Sequence, residues 1–473
     1  MSTASGEMTG LAVQAEALAA GNVSSAELVS ACLESIEASR AVLNAFRCVR
    51  ADAAKDEASE CDRRIKAGER APLLGVPVAI KDDTDIAGET TAFGCGGRFE
   101  EIDNDSEVVH RLRSAGAVIV GKTTTSEIGQ WPFSEGPGFG VTRNPWSLDH
   151  TPGGSSGGAA AAVAAGLVSG AIGSDGAGSV RIPAAWCHLV GIKPQRGRIS
   201  TWPHPEAFMG LTCLGPLART VGDAALLLDA VAGNRDGDLH TPTPARKSYA
   251  EAALEAPGRL RIALSTGIPF SGAPAELDPE IRAATKRIGD VLESLGHEVS
   301  EADPVYGLVG ASFMPRSMAG IREWVDRIPE PETLDPRTRH NAKVGRLLSG
   351  PTLAAARMLE RPVRWQIGRI FDRFDVVLAP TTAKPPLEIG AAEGLGNWET
   401  DRLIVGACPY AWPWNVVGWP GVNVPAGLTD GGLPIGVQLL GSANSEPLLI
   451  SLAAELEAVE RWHERRPPFG AVS

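Results

Sequence analysis

Between Thr151 and Pro183 the chain reads TPGGSSGGAAAAVAAGLVSGAIGSDGAGSVRIP, and few folds can hold such a stretch. Gly153, Gly154, Gly157 and Gly158 bracket Ser155 and Ser156, which permits backbone dihedrals and close approaches that a Cβ forbids. The turn Asp175-Gly176-Ala177-Gly178-Ser179 repeats the device. Between the two, Gly157 to Val168 is almost entirely Ala, Gly and Val, which predicts a helix buried on every side rather than an amphipathic one. Ser156 is its expected N-cap. The run is too short and too small-sided to span a bilayer.

Glycine N–H groups beside a serine suit a site where negative charge develops, because donors must point at the oxyanion. A phosphate-binding reading fails on motif grammar. No glycine turn is followed by the lysine of a Walker loop, and Gly176 and Gly178 lead into Ser-Val-Arg-Ile-Pro rather than a dinucleotide fingerprint. Lys81 ends the apolar run Leu73 to Ile80, expected as a strand, and Val118 to Val120 forms another before Gly121-Lys122. A lysine there either snorkels outward to pair with Asp82 or Asp83, or is buried and loses its proton easily enough to act as a base. Lys122 closes a different strand and Lys193 precedes a proline, so both are read as structural. His150 and His188 are read likewise, since neither has an Asp or Glu partner in a recognisable pattern.

Taken together, Gly-Gly-Ser-Ser-Gly-Gly, Asp-Gly-x-Gly-Ser-x-Arg-x-Pro and Gly191-Ile-Lys-Pro-x-x-Gly197 resemble the amidase signature family. Asn144-Pro-Trp146, Gly215-Pro-Leu-Ala-Arg219-Thr and Gly432-Leu-Pro-Ile-Gly-Val-Gln438 extend the resemblance over nearly the whole chain, most weakly between about 235 and 420. The resemblance implies a Ser-Ser-Lys catalytic set: Ser179 as nucleophile, Ser155 as bridging serine behind a cis Gly154–Ser155 peptide, and Lys81 as base. It implies an oxyanion site from the backbone N–H groups of Gly176, Ala177, Gly178 and Ser179, with Asp175 and Arg181 supporting the turn from beneath. Gly129, Gln130 and Trp131 fall where the acyl pocket begins. No metal or cofactor is required. The implied fold is α/β: one domain over 1–473, a mixed twisted sheet between helical layers, with a core at 71–235, a substrate cap over about 236–420 and a return to the core at 421–473.

Composition narrows the partners. A net charge of -13 and a pI near 5.2 disfavour nucleic acid or an anionic membrane surface as the main partner, and the resemblance implies a small-molecule amide. Seven cysteines without a CxxC pair fit reduced thiols, and the first ten residues lack the apolar core of a secretion signal, so a cytoplasmic setting is expected. A homodimer is compatible with the sequence, which sets no oligomeric state.

Residues 7 to 66 read as helices, with a capping box at Ser24-x-x-Glu27 and Leu28, Cys32 and Ile36 on one face. Asp278-Pro279 starts a helix that Gly296 ends, and 308 to 365 read as helices and turns. Several of Trp131, Phe133, Tyr410, Trp412, Trp414 and Trp419 are expected to converge on an apolar pocket over Ser179. The expected activity is hydrolysis of small apolar or aryl amides through an acyl-enzyme, chemistry that carbamates and esters share. The alternatives are a glutaminase subunit of a tRNA-dependent amidotransferase, and a non-catalytic binding protein, against which the intact Lys81, Ser155 and Ser179 argue.

Overall fold

The computed structural model describes residues 10–269 and 275–469. The segment read for a secretion signal, up to residue 9, and the start of the expected helices at 7–9 lie outside them.

Short apolar runs become strands here because helices cover both faces of the sheet, so most central strands are buried at every position instead of alternating. Pro77–Lys81, Val118–Thr123, Gly170–Asp175 and Val376–Pro380 are all of this kind. The first begins at Pro77, later than read, because a turn through Leu73 and Gly75 (φ 85°) precedes it. Among the described residues eleven strands form one mixed sheet. Its order from one edge is Phe46–Val49, Val118–Thr123, Pro77–Lys81, Gly170–Asp175, Cys213–Ala218 and Val190–Lys193. It continues through Gly421–Leu428, Pro434–Leu440, Val376–Pro380, Arg261–Leu264 and Glu298–Glu301. Pro77–Lys81 runs parallel to both of its neighbours, with Ala79 opposite Ala171 and Lys81 opposite Thr123.

Side-chain alternation divides the core. Val78, Ile80 and Ile172 join Leu227, Leu228 and Leu452 on one face, whereas Ala79 and Ala171 join Ala159 to Ala165 on the other. Lys81 shares the parity of Ala79, so it leaves the sheet on the side of the alanine helix. That helix, Gly157–Ala164, is buried at every position, as its composition predicts. It stops short of Val168 because Gly166 (φ 74°) turns the chain. Ser156 occupies the N-cap position without capping: its hydroxyl donates to the Ser174 carbonyl at 3.2 Å instead.

The capping box closes the start of Ser25–Leu43, where Ser24 Oγ accepts from Glu27 N and Glu27 Oε2 from Ser24 N. Helices do not fill 7–66 throughout, however. Phe46–Val49 is an edge strand, antiparallel to Val118–Thr123, and four residues are too few for any periodicity to declare them. Helix Pro279–Ser294 follows its start signal, with Asp278 accepting from Glu280 N and Ile281, Ile288 and Leu292 buried.

The stretch from 236 to 420 does two jobs. Arg261–Leu264, Glu298–Glu301 and Val376–Pro380 extend the main sheet, while helices Val309–Val325, Pro336–Leu347 and Asn397–Ala407 put side chains on a cavity beyond the C-terminal ends of Pro77–Lys81 and Gly170–Asp175. No helix among the described residues is long and apolar enough to cross a membrane.

Candidate active site

Lys81 ends its strand fully buried, and its Nζ lies 2.7 Å from Ser155 Oγ and 2.7 Å from Ser174 Oγ. Asp83 Oδ2 stands 3.1 Å from the same nitrogen and also accepts a short hydrogen bond from the Ser174 hydroxyl. Asp82 points the other way, toward Arg47 Nε at 2.6 Å and Lys122 Nζ at 3.1 Å. Burial pushes the Lys81 amine down from its ordinary range, opposed by the charges of Asp83 and Asp175. The peptide between Gly154 and Ser155 is cis. Gly154 allows the backbones to meet, since a Cβ there would stand 2.5 Å from the Trp131 carbonyl oxygen.

Ser179 closes the second turn, 8% exposed and facing the same cavity as Ser155. Its carbonyl accepts from Ser156 N at 3.2 Å, so the two glycine turns are tied to each other. Beneath the turn, Arg181 binds Asp175 through two contacts of 3.0 Å, and both side chains are completely buried. Burial alone would raise the Asp175 carboxyl, yet the Arg181 guanidinium holds it well below the usual carboxylate range. Asp175 in turn accepts from Gly178 N at 2.8 Å, from Val180 N at 3.3 Å and from Arg181 N at 3.3 Å. The Gly178 N–H, expected at the oxyanion site, is therefore committed to Asp175. Glycine is required at 178 all the same, because φ is 114° and a Cβ would meet the Ala411 Cβ at 2.6 Å.

Above these groups lies a cavity of about 550 Å³. Gly129, Gln130 and Trp131 line it, and a Cβ on Gly129 would stand 3.4 Å from Ser155 Oγ. Gln130 reaches the cap, donating to Thr338 Oγ1 and accepting from Asn341 Nδ2 at 3.0 Å. The adjacent Glu127 accepts from Asp335 N at 3.1 Å, and burial pushes its carboxyl up to about 7. Of the six candidate aromatics, only Trp131 and Trp412 line the cavity. Phe133 stacks behind Trp131 at 5.4 Å. Tyr410 donates to the Thr266 carbonyl at 2.8 Å, while Trp414 and Trp419 pack against Phe371 at 6.2 and 5.8 Å, so these three belong to the protein's interior. The remaining aromatic wall comes from Phe93, Trp202, Phe208, Phe313, Trp324 and Trp398, which no motif singles out.

The rival bases stand elsewhere. His150 Nδ1 contacts Ser147 Oγ at 2.8 Å, and neither His150 nor His188 lines the cavity. Lys122 donates to Thr90 O and Thr91 Oγ1, and Lys193 to Pro194 O at 3.1 Å. Reasoning from the sequence missed Ser174 and also Asn415, whose Nδ2 donates to the Asp175 carbonyl at 2.7 Å and carboxylate at 2.9 Å. It also gave Gln438 no role, although its Oε1 accepts from Arg181 at 2.9 Å. Asn415 carries no local signal, because its partner is 240 residues away.

Residues 27–450 match the amidase family. AmiA2 of Mycobacterium tuberculosis is 59% identical over 451 residues, covering 95% of this chain and 93% of that one. A solved 6-aminohexanoate cyclic dimer hydrolase, complexed with its substrate, superposes with a TM-score of 0.89 at 32% identity, covering 97% of this chain and 98% of that one. A bacterial aryl acylamidase of the amidase signature family gives 0.88 at 25% identity, over 98% and 99%. Fold and relatives together define an enzyme that hydrolyses carbon–nitrogen bonds in amides. The chain belongs to the amidase signature family.

Proposed function

We propose that amide hydrolysis proceeds through Lys81, Ser155 and Ser179 by way of an acyl-enzyme on Ser179. The observation that carries this reading is the buried Lys81 amine 2.7 Å from Ser155 Oγ, with Ser155 and Ser179 facing one cavity. Neutral Lys81 accepts the Ser155 proton as Ser155 accepts that of Ser179, and the Ser179 oxygen attacks the amide carbonyl carbon. The negative charge on the carbonyl oxygen is met by the N–H groups of Gly176, Ala177 and Ser179, none of which has a protein acceptor among the described hydrogen bonds. The proton returns along Lys81 and Ser155 to the leaving nitrogen, the carbon–nitrogen bond breaks, and water then releases the acid from Ser179.

The substrate reading rests on the lining. Aromatic and aliphatic side chains such as Phe208, Phe313, Met314 and Trp412 form most of the wall, which favours an apolar or aryl acyl or leaving group over acetamide or glutamine. An extra 100–200 Å² of buried apolar surface is worth about 2–4 kcal/mol. A hydrolysis panel of anilides, aliphatic amides, carbamates, esters and glutamine, with product masses, tests both parts. Anilides or aryl carbamates are expected to exceed acetamide and glutamine in kcat/KM by roughly tens- to hundreds-fold. Equal or faster turnover of glutamine would overturn the apolar-pocket reading in favour of a glutaminase.

A further inference from the structure

The hydrogen-bond count around Lys81 leaves one proton to be decided. Its nitrogen has three polar neighbours, Ser155 Oγ, Ser174 Oγ and Asp83 Oδ2. The Ser174 hydroxyl spends its own hydrogen on Asp83, so toward Lys81 it can only accept. An ammonium would donate to all three neighbours and have no lone pair left for Ser155. A neutral amine donates to Ser174 and Asp83 and turns its lone pair to the Ser155 hydroxyl. The same heavy-atom arrangement thus serves both states, which differ by the single hydrogen on the Ser155 side.

We propose that Asp83 is a positioning residue that aims the two remaining N–H bonds of Lys81 and sets, by its charge, the lowest pH at which the amine is free to act. Three features favour it over its neighbours. Among the described residues Asp83 is the one carboxylate within ion-pair distance of the Lys81 nitrogen, at 3.1 Å. Asp175, whose charge also favours the ammonium but less than that of Asp83, is paired with Arg181, and Asp82 is paired with Arg47 and Lys122. The alanine helix behind the lysine carries no charge at all, and of the other charged or titratable groups on the cavity wall, Asp85, His204, Asp401 and Arg402, none is within ion-pair distance of Lys81. Burial drives the amine toward neutrality while Asp83 favours the ammonium, and the second effect is adjustable by one side chain.

The inference rests on Lys81 being the base, so Lys81→Ala is run alongside. The decisive measurement is the pH dependence of kcat/KM in Asp83→Asn, which keeps the size of the side chain, keeps an acceptor oxygen for Lys81 and Ser174 while giving up the one that accepts from Thr84, and removes the charge. The acid limb is expected to move at least one pH unit lower, with the plateau at high pH kept within about tenfold. Asp83→Glu, which restores the charge, is expected to return the limb toward the parent position. If Asp83→Asn does not fold, Asp83→Ser removes the same charge, and the same downward shift is expected. An acid limb that is unchanged, or that moves upward, in a folded neutral variant overturns the assignment. Full activity in Lys81→Ala would instead remove the underlying mechanism, so the two failures are distinguishable.

Discussion

Ser179→Ala should abolish turnover while leaving the thermal unfolding transition in place, because among the described residues the hydroxyl, which faces the cavity, has no hydrogen-bond partner. A fluorophosphonate should label Ser179 alone. Labelling on Ser156, whose hydroxyl is engaged with the Ser174 backbone at 3.2 Å, would contradict the assignment. Lys81→Ala should lower kcat by about 10² or more, the scale of a lost general base. The parent rate should rise with pH through an apparent pKa below the free-lysine value of about 10.4, since burial lowers the amine and only the deprotonated form accepts from Ser155. Should Lys81→Ala retain near-parent activity, the base must be sought elsewhere. Glycine turns and a lysine after an apolar strand are local patterns, so these residues could be named from the sequence. Ser174 and Asn415 could not, because each acts by where the fold carries it.

At the scale of elements, the same contrast separates what could be read from what could not. The alanine helix and the capping box declare themselves through composition and spacing, whereas the strand Phe46–Val49 does not, and of the apolar run Leu73 to Ile80 only the part from Pro77 onward is strand. Aromatics clustered in sequence, from Tyr410 to Trp419, went mostly to the interior, because successive residues of a turn and short helix point in different directions. The turn at 175–181 carries the clearest energetic consequence. Replacing Arg181 with Met leaves the Asp175 carboxylate buried and without its cation, and breaking such a pair costs about 3–5 kcal/mol. Urea unfolding of Arg181→Met should show that loss, with kcat falling as the N–H groups of the turn lose their anchor. A midpoint within error of the parent would show that Asp175 does not depend on the pair.

Across the whole molecule, buried titratable groups pull stability in opposite directions along the pH scale. Burial raises Glu127 and Glu457 from 4.5 to about 7, so the folded state holds these protons more tightly than the unfolded chain does. Stability is therefore lost as pH climbs from about 4.5 to about 7, by on the order of 1–3 kcal/mol for each group. Burial beside Arg465 and Arg219 lowers His188 from 6.5 to about 3, which removes stability as pH falls through that window. The optimum should lie on the acid side of neutrality. Unfolding midpoints in urea between pH 4 and 8 test this, and Glu127→Gln with Glu457→Gln should flatten the decline between pH 5 and 7. A decline of the same slope in the double variant would assign it to the general charge of the chain, -13 at neutrality, rather than to these two groups.

The brace beneath the nucleophile also imposes an order on biosynthesis. Lys81, Ser155 and Ser179 are all translated before residue 200, whereas Asn415 and Gln438, which hold Asp175 and Arg181, follow 240 and 257 residues behind those partners. A nascent chain that has passed Arg181 thus carries the proposed reacting groups and still lacks the two side chains that clamp the turn beneath Ser179. On the proposed mechanism, hydrolytic competence is expected only once the strand Pro434–Leu440 is in place, so a shorter polypeptide carries a serine not yet able to turn on its surroundings.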